Sequence, residues 1–206
     1  MYSGSASVSG PYVQRSMRTT IAVVSAALLI LLLWWSHRRR QYEFQTSELL
    51  ELCSRGSESQ VFERIDRDSR LLDKLDKDGW NCLINASKHN RVSLVKALLK
   101  RGASTGTPSM RHSALRGAAL FGYDDVVTAL INAGAYVDVY SAHQRTPLMG
   151  AAMNGHLSTV KLLLRSGANP VLSNDEGETA RDLAKAKGHD EIVQILESSS
   201  SDFTSH

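Results

Sequence analysis

The residues able to do chemistry in this 206-residue chain are few and scattered. Its seven histidines could titrate near neutrality or ligate a metal, but they fall in no cluster. Cys53 and Cys82 are the two cysteines; they lack metal-ligand spacing, and nothing around them suggests a disulfide framework. Asp124-Asp125 and Asp175-Glu176 are adjacent carboxylates, the raw material of general acid–base work. Their places at a helix start and in a hairpin predict solvated side chains instead. Asn85-Ala86-Ser87 matches a glycosylation sequon, yet it lies inside a stretch with helical patterning. No glycine-rich phosphate loop, zinc-binding His-Glu-x-x-His or nucleophile elbow is written into the chain. The expectation is a non-enzyme, with no cofactor, no metal and no small-molecule substrate.

What does recur is a frame. Gly102-Ala103, Gly134-Ala135 and Gly167-Ala168 are spaced by 32 and 33 residues. The clearest unit begins Thr146-Pro147-Leu148-Met149-Gly150-Ala151-Ala152, turns at Gly155-His156, and runs from Leu157 to Arg165 before Gly167-Ala168. Ser113-Ala114-Leu115 and Gly122 hold the same places one unit earlier, and Asn81-Cys82-Leu83 and Asn90 the unit before that. Thr179 and Gly188-His189 fall 33 residues after Thr146 and Gly155-His156. Val160, Leu162, Leu163 and Leu164, like Val126, Val127, Leu130 and Ile131, have helical spacing. Two short antiparallel helices per unit follow, with Ala118-Ala119 and Ala151-Ala152 allowing close approach. Thr146 and Thr179 are cap residues, Pro147 suits a first turn, and Gly122, Gly155 and Gly188 suit a left-handed stop. A period near 33 means a stack of equivalent units.

This resembles the ankyrin repeat, whose Thr-Pro-Leu-His signature is matched best at Thr146-Pro147-Leu148. The resemblance runs from Asp76 to Leu196. Asn81-Cys82-Leu83-Ile84 departs from the signature, Met149 and Arg116 replace its histidine, and residues 107–112 lack the usual hairpin aspartate and glycine. It implies an all-α solenoid of about five helix–turn–helix units with short β-hairpin loops. The units are 47–75 as N-terminal cap, 76–106, 107–139, 140–172, and 173–197 as C-terminal cap, where Arg181 stands in the place of a core leucine. It also implies a structural hydrogen bond to a loop for His156 and His189.

The resemblance further implies partner binding by the hairpin tips and the exposed side of the inner helices. In the first full unit those positions carry Lys77, Trp80 and His89, with Asp78 and Lys88 beside them. The second carries Met110, His112, Leu120 and Phe121; the third Tyr140, His143, Arg145 and Met153, with Asn154. The last carries Asp175, Glu176, Glu178 and Lys187. Leu120, Phe121, Tyr140 and Met153 make the middle apolar, the anatomy of a protein interface. For Leu120 and Phe121, core packing under a neighbouring unit stays open as the alternative. Trp80, on a hairpin tip, is expected to find little core.

The first 46 residues are of another kind. Residues 1–18 are Ser-rich and acid-free, a polar or targeting segment. No charge occurs from Thr19 to Ser36, 18 residues or roughly 27 Å of helix. A hydrocarbon core is about 30 Å thick, so 19–37 is expected to be a single transmembrane helix in a lipid bilayer. Trp34-Trp35 would lie in the interfacial belt and Arg38, Arg39 and Arg40 against headgroups, with 38–46 as linker. Arg15 and Arg18 on one side against those three on the other put the repeats in the cytosol. An endomembrane or mitochondrial outer-membrane location is expected, with the mitochondrial inner membrane as the alternative. Those five arginines precede the first acid, Glu43; the remaining 19 Lys and Arg face 21 Asp and Glu, leaving the repeats at 19 − 21 = −2. The pI of 8.9 thus reports the N-terminus and not a nucleic-acid surface. Residues 198–206 are expected to be a disordered Ser-rich tail. The expected function is a membrane-anchored adaptor or scaffold that recruits a protein. The alternatives are an accessory subunit of a membrane complex and a targeting receptor or chaperone dock.

Overall fold

The computed structural model describes residues 11–106, 112–140 and 142–203. It is all-helical, and contact clustering divides it into residues 1–45 and 46–206. The first unit is helical from Pro11, in α1 (Pro11–Arg55). Leu28 to Trp35 are each more than half exposed. Arg38 sits 4.9 Å over the Trp34 ring and Arg39 5.5 Å over Trp35. Among the described residues no helix is long and apolar enough to cross a membrane. The span expected at 19–37 therefore stands without structural support; its side chains up to residue 27 lie outside those described. Residues 38–46, expected as a linker, are helical and belong to α1.

The second unit opens with the end of α1 and α2 (Glu58–Arg67), joined through Gly56. Four further helix pairs follow: α3 (Cys82–Lys88) with α4 (Val92–Lys100), α5 (Ala114–Leu120) with α6 (Asp124–Asn132), α7 (Pro147–Met153) with α8 (Leu157–Arg165), and α9 (Ala180–Ala186) with α10 (Asp190–Phe203). They form two layers. The inner helices α3, α5, α7 and α9 pack side by side in order, and α4, α6, α8 and α10 line up behind them. Equivalent positions do equivalent work: Leu98, Leu130, Leu163 and Leu196 are all fully buried. Each such side chain contributes about 1.5–3 kcal/mol, and it gains this only because the neighbouring pair covers it.

Local chemistry sets the boundaries. Asn81, Ser113, Thr146 and Thr179 each accept, at the side chain, the backbone N–H of the third helical residue. This satisfies one of the donors a helix start leaves orphaned. Asp182 returns a carboxylate to the Thr179 N–H at 3.0 Å, completing a reciprocal cap. The hairpins before α3 and α9 share one design. Asp76 accepts from the Asp78 and Trp80 N–H groups, and Asn174 from those of Glu176 and Glu178, all at 2.8–2.9 Å. Among the described residues the only β pairing is the bridge Ser173–Thr179, so the expected β-hairpins are mostly turns.

Three further expectations are corrected. Cys53 and Cys82, both fully buried, are joined in a disulfide, with Cα atoms 5.4 Å apart. It clamps the capping pair to α3, assisted by Asn85 Nδ2 donating to the Leu50 carbonyl at 2.6 Å. The tail expected to be disordered is helical to Phe203, where Ser198, Ser199 and Ser200 donate back to the carbonyls of Ile195 and Leu196. Residues 204–206 lie outside the described residues. Asp124 is not merely solvated: it accepts the Thr159 hydroxyl from the next outer helix at 2.5 Å. At Arg181 the side chain turns to solvent and Leu183 supplies the core apolar group.

The glycine turns carry the sharpest link between units. Gly122 and Gly155 have φ of 71° and 76°, where any other residue is strained. They are also covered. A Cβ on Gly122 would lie 2.6 Å from His156 Nδ1, and one on Gly155 2.6 Å from His189 Cε1. The same imidazoles reach back a whole unit: His156 Nε2 donates to the Leu120 carbonyl at 3.1 Å and His189 Nε2 to that of Met153 at 3.2 Å. Gly122→Ala is expected to destabilise by about 2–3 kcal/mol, from backbone strain plus the clash. His156→Ala is expected to cost about 1 kcal/mol, because Asn154 Nδ2 still serves the Leu120 carbonyl at 2.8 Å. In a urea-unfolding double-mutant cycle the pair should cost clearly less than the sum, since removing the ring removes the clash. Strict additivity would mean that the ring does not cover the glycine.

Candidate protein-binding surface

The candidate surface is the open side of α3, α5 and α7 with the turns that precede them. The sequence-chosen residues do not all share one environment. Lys77 is exposed on the first hairpin. Trp80 is half-buried and packs on the core, against expectation. Its ring stacks on His112 of the next unit, with centroids 3.9 Å apart, and Lys88 Nζ lies 4.8 Å over it. Trp80 is thus an inter-unit contact and has core to enter, because the following hairpin brings His112 alongside.

His89 is exposed at the end of α3 and lines a depression with Leu50, Glu51, Ser54, Arg55 and Asn85. Desolvation, then the cations Lys88, Arg55 and Arg91, hold its pKa below the ordinary histidine range. Sequence reasoning missed this depression because four of its six lining residues come from the end of α1. Met110 lies outside the described residues.

Leu120 and Phe121 separate from each other. Leu120 is half-buried and lies over α7, where a Cβ on Gly150 would meet its Cδ1 at 3.5 Å. Phe121 keeps 43% exposure and stacks on Tyr123 at 5.7 Å. Tyr140 is 40% exposed. Met153 is half-buried and packs on the core. His143, exposed in a left-handed turn, has Nδ1 4.0 Å from Asp175 Oδ2. Arg145 is half-buried just before Thr146. The structure therefore brings Trp80 and His112 together, leaves Phe121 and Tyr140 exposed, and turns Leu120 and Met153 partly inward.

Among the described residues no group of three or more His, Cys, Asp or Glu is placed to hold a metal ion. His156 and His189 spend their ring nitrogens on backbone carbonyls, as the resemblance implied. Burial pushes the Asp138 carboxyl above its usual range against the pull of the Asn169 N–H, which it binds at 3.0 Å across one unit. These groups hold units together.

A comparison with protein families agrees with the helix-pair stack. The family described as Ankyrin repeats (3 copies) matches residues 49–141 and 115–205. That match takes in the capping pairs and every inner helix, together more than half of the chain. Repeats of this kind form protein–protein interaction domains, and this chain belongs to the ankyrin-repeat family.

Proposed function

We propose that the chain recruits a protein partner onto the open face of α3, α5 and α7, and that its N-terminal segment confines this face to a membrane. The observation that carries the first part is the exposure of Phe121 and Tyr140, 43% and 40%, in a strip whose ends carry polar side chains such as Lys77 and His143. Exposed aromatics ringed by polar groups are where interface energy concentrates. Recruitment works by local concentration, so no new contact is needed for a large gain in occupancy. It also needs no reaction, so the reading is of an adaptor or scaffold and not an enzyme.

The membrane part rests on the sequence: 18 successive uncharged residues from Thr19 to Ser36, followed by Arg38, Arg39 and Arg40. The exposed Leu28–Trp35 side chains are consistent with it, because such a patch is costly in water. With the basic bias taken alone, the repeats face the cytosol at an endomembrane or the mitochondrial outer membrane. The Cys53–Cys82 bond favours a second reading, since buried disulfides persist in oxidising compartments. In that reading the repeats lie across the membrane, as the inner-membrane alternative has it.

Two experiments test this. Phe121→Arg with Tyr140→Glu should abolish capture of the partner that the wild-type chain retains, with the melting temperature unchanged. Trp80→Ala should instead lower stability by about 2–4 kcal/mol, because it removes an inter-unit stack. Unchanged capture by the double variant overturns the surface reading. For the anchor, the full chain should stay with membranes through alkaline carbonate, and Leu28→Arg with Leu31→Arg should release it. Release of the wild type overturns the anchor. Protease protection of the repeats, with maleimide labelling of Cys53 and Cys82 before and after reduction, decides the side.

A further inference from the structure

Arg116 cannot complete the reciprocal cap that α9 makes. It is the third residue of α5, where Asp182 of α9 gives a carboxylate back to its cap. A guanidinium has five donors and no acceptor, so it cannot return that bond. Its Nε is buried, and no hydrogen-bond partner lies within reach among the described residues. Elsewhere in the repeats Arg64, Arg67, Arg70, Arg101 and Arg181 each face a carboxylate. Arg116 faces none among the described residues; the charge acting on it is that of Arg145, another cation. Burial, then Arg145, lowers its pKa. An unneutralised, half-buried arginine beside another costs stability, and local rules are broken in this way where a site is built.

Its surroundings extend the positive strip. Gly117, the next residue, presents no side chain, and a Cβ there would come only to 4.0 Å from Lys88 Cβ on α3. Lys88 in turn covers Trp80, which stacks on His112. Asp76, on the hairpin before α3, accepts two backbone N–H groups. We propose that Arg116 receives a carboxylate from an acidic, extended segment of a partner protein, flanked by Lys88 and the Trp80–His112 stack. Charge complementarity selects this occupant, and planar guanidinium forks suit carboxylates. The proposal deepens the recruitment reading and rests on it.

The test uses the full chain in detergent with Arg15, Arg18, Arg38, Arg39 and Arg40 each changed to glutamine, so that the probe reads the repeats. The probe is fluorescein-labelled hexaglutamate, followed by anisotropy. It should bind, hexaglutamine should not, and Arg116→Gln should weaken binding about tenfold. Arg165→Gln on the outer helix α8 should leave it unchanged. A structural arginine and a ligand-receiving one differ in a second readout. Arg116→Met should raise the melting temperature by about 2–4 °C by relieving burial and repulsion. Equal binding of the two hexapeptides, an unaltered affinity in Arg116→Gln, or a lower melting temperature in Arg116→Met would each overturn the proposal. Displacement of the probe by inorganic phosphate at equal charge concentration would overturn it in favour of a small-anion site. Loss of the acidic ligand while Phe121→Arg with Tyr140→Glu still blocks capture leaves the surface reading standing; failure of both removes it as well.

Discussion

A pair of seven- and nine-residue helices cannot hide its own apolar side, and everything else in residues 46–206 follows from that. Leu98, Leu130, Leu163 and Leu196 are buried only because each pair lies against the next. Apolar contact alone would allow neighbouring pairs to slide. Directional bonds set the register. The Leu120 and Met153 carbonyls hold the rings of His156 and His189, Asp124 holds Thr159, and Asp138 holds the Asn169 backbone. Each bridges one repeat length, so one unit's turn is completed by its successor. A glycine with positive φ is needed at the turn twice over, for the backbone and for the ring above it.

This constraint also leaves a face unused. Inner helices spend Ala118, Ala119, Ala151 and Ala152 on close packing, all fully buried. Trp80, Leu120 and Met153 of the inner layer reach towards an adjacent unit or the core. What remains is a strip with exposed aromatics and one arginine, Arg116, that faces no carboxylate among the described residues. A stack held by neighbour contacts tolerates such a strip because its stability is spread over many interfaces.

Much of this was legible in the residues. The period, the cap residues at 146 and 179, the left-handed glycines and the buried leucines all follow from local chemistry that repeats. The misses have a common physical cause: they depend on what a neighbouring unit brings alongside. Cys53 and Cys82 looked solitary because their pairing needs the capping helix to lie against α3. Trp80 looked exposed because His112 belongs to the following unit. Arg116 was noted only as a departure from the signature, since its lack of a partner is visible only in three dimensions. The Ser-rich tail was misjudged for another reason: its hydroxyls bond back to helix carbonyls, which composition does not reveal. The long α1 ran through a stretch whose brevity and charge suggested a linker.

The central claim is that stability resides in the interfaces between units. Native-state hydrogen exchange on the full chain tests it most directly. The account predicts slowest exchange in the doubly flanked inner helices, at Ala118, Ala119, Ala151 and Ala152, with α2 and the end of α10 opening at lower free energy. Equal protection of every pair, or greatest protection in the end pairs, would contradict it.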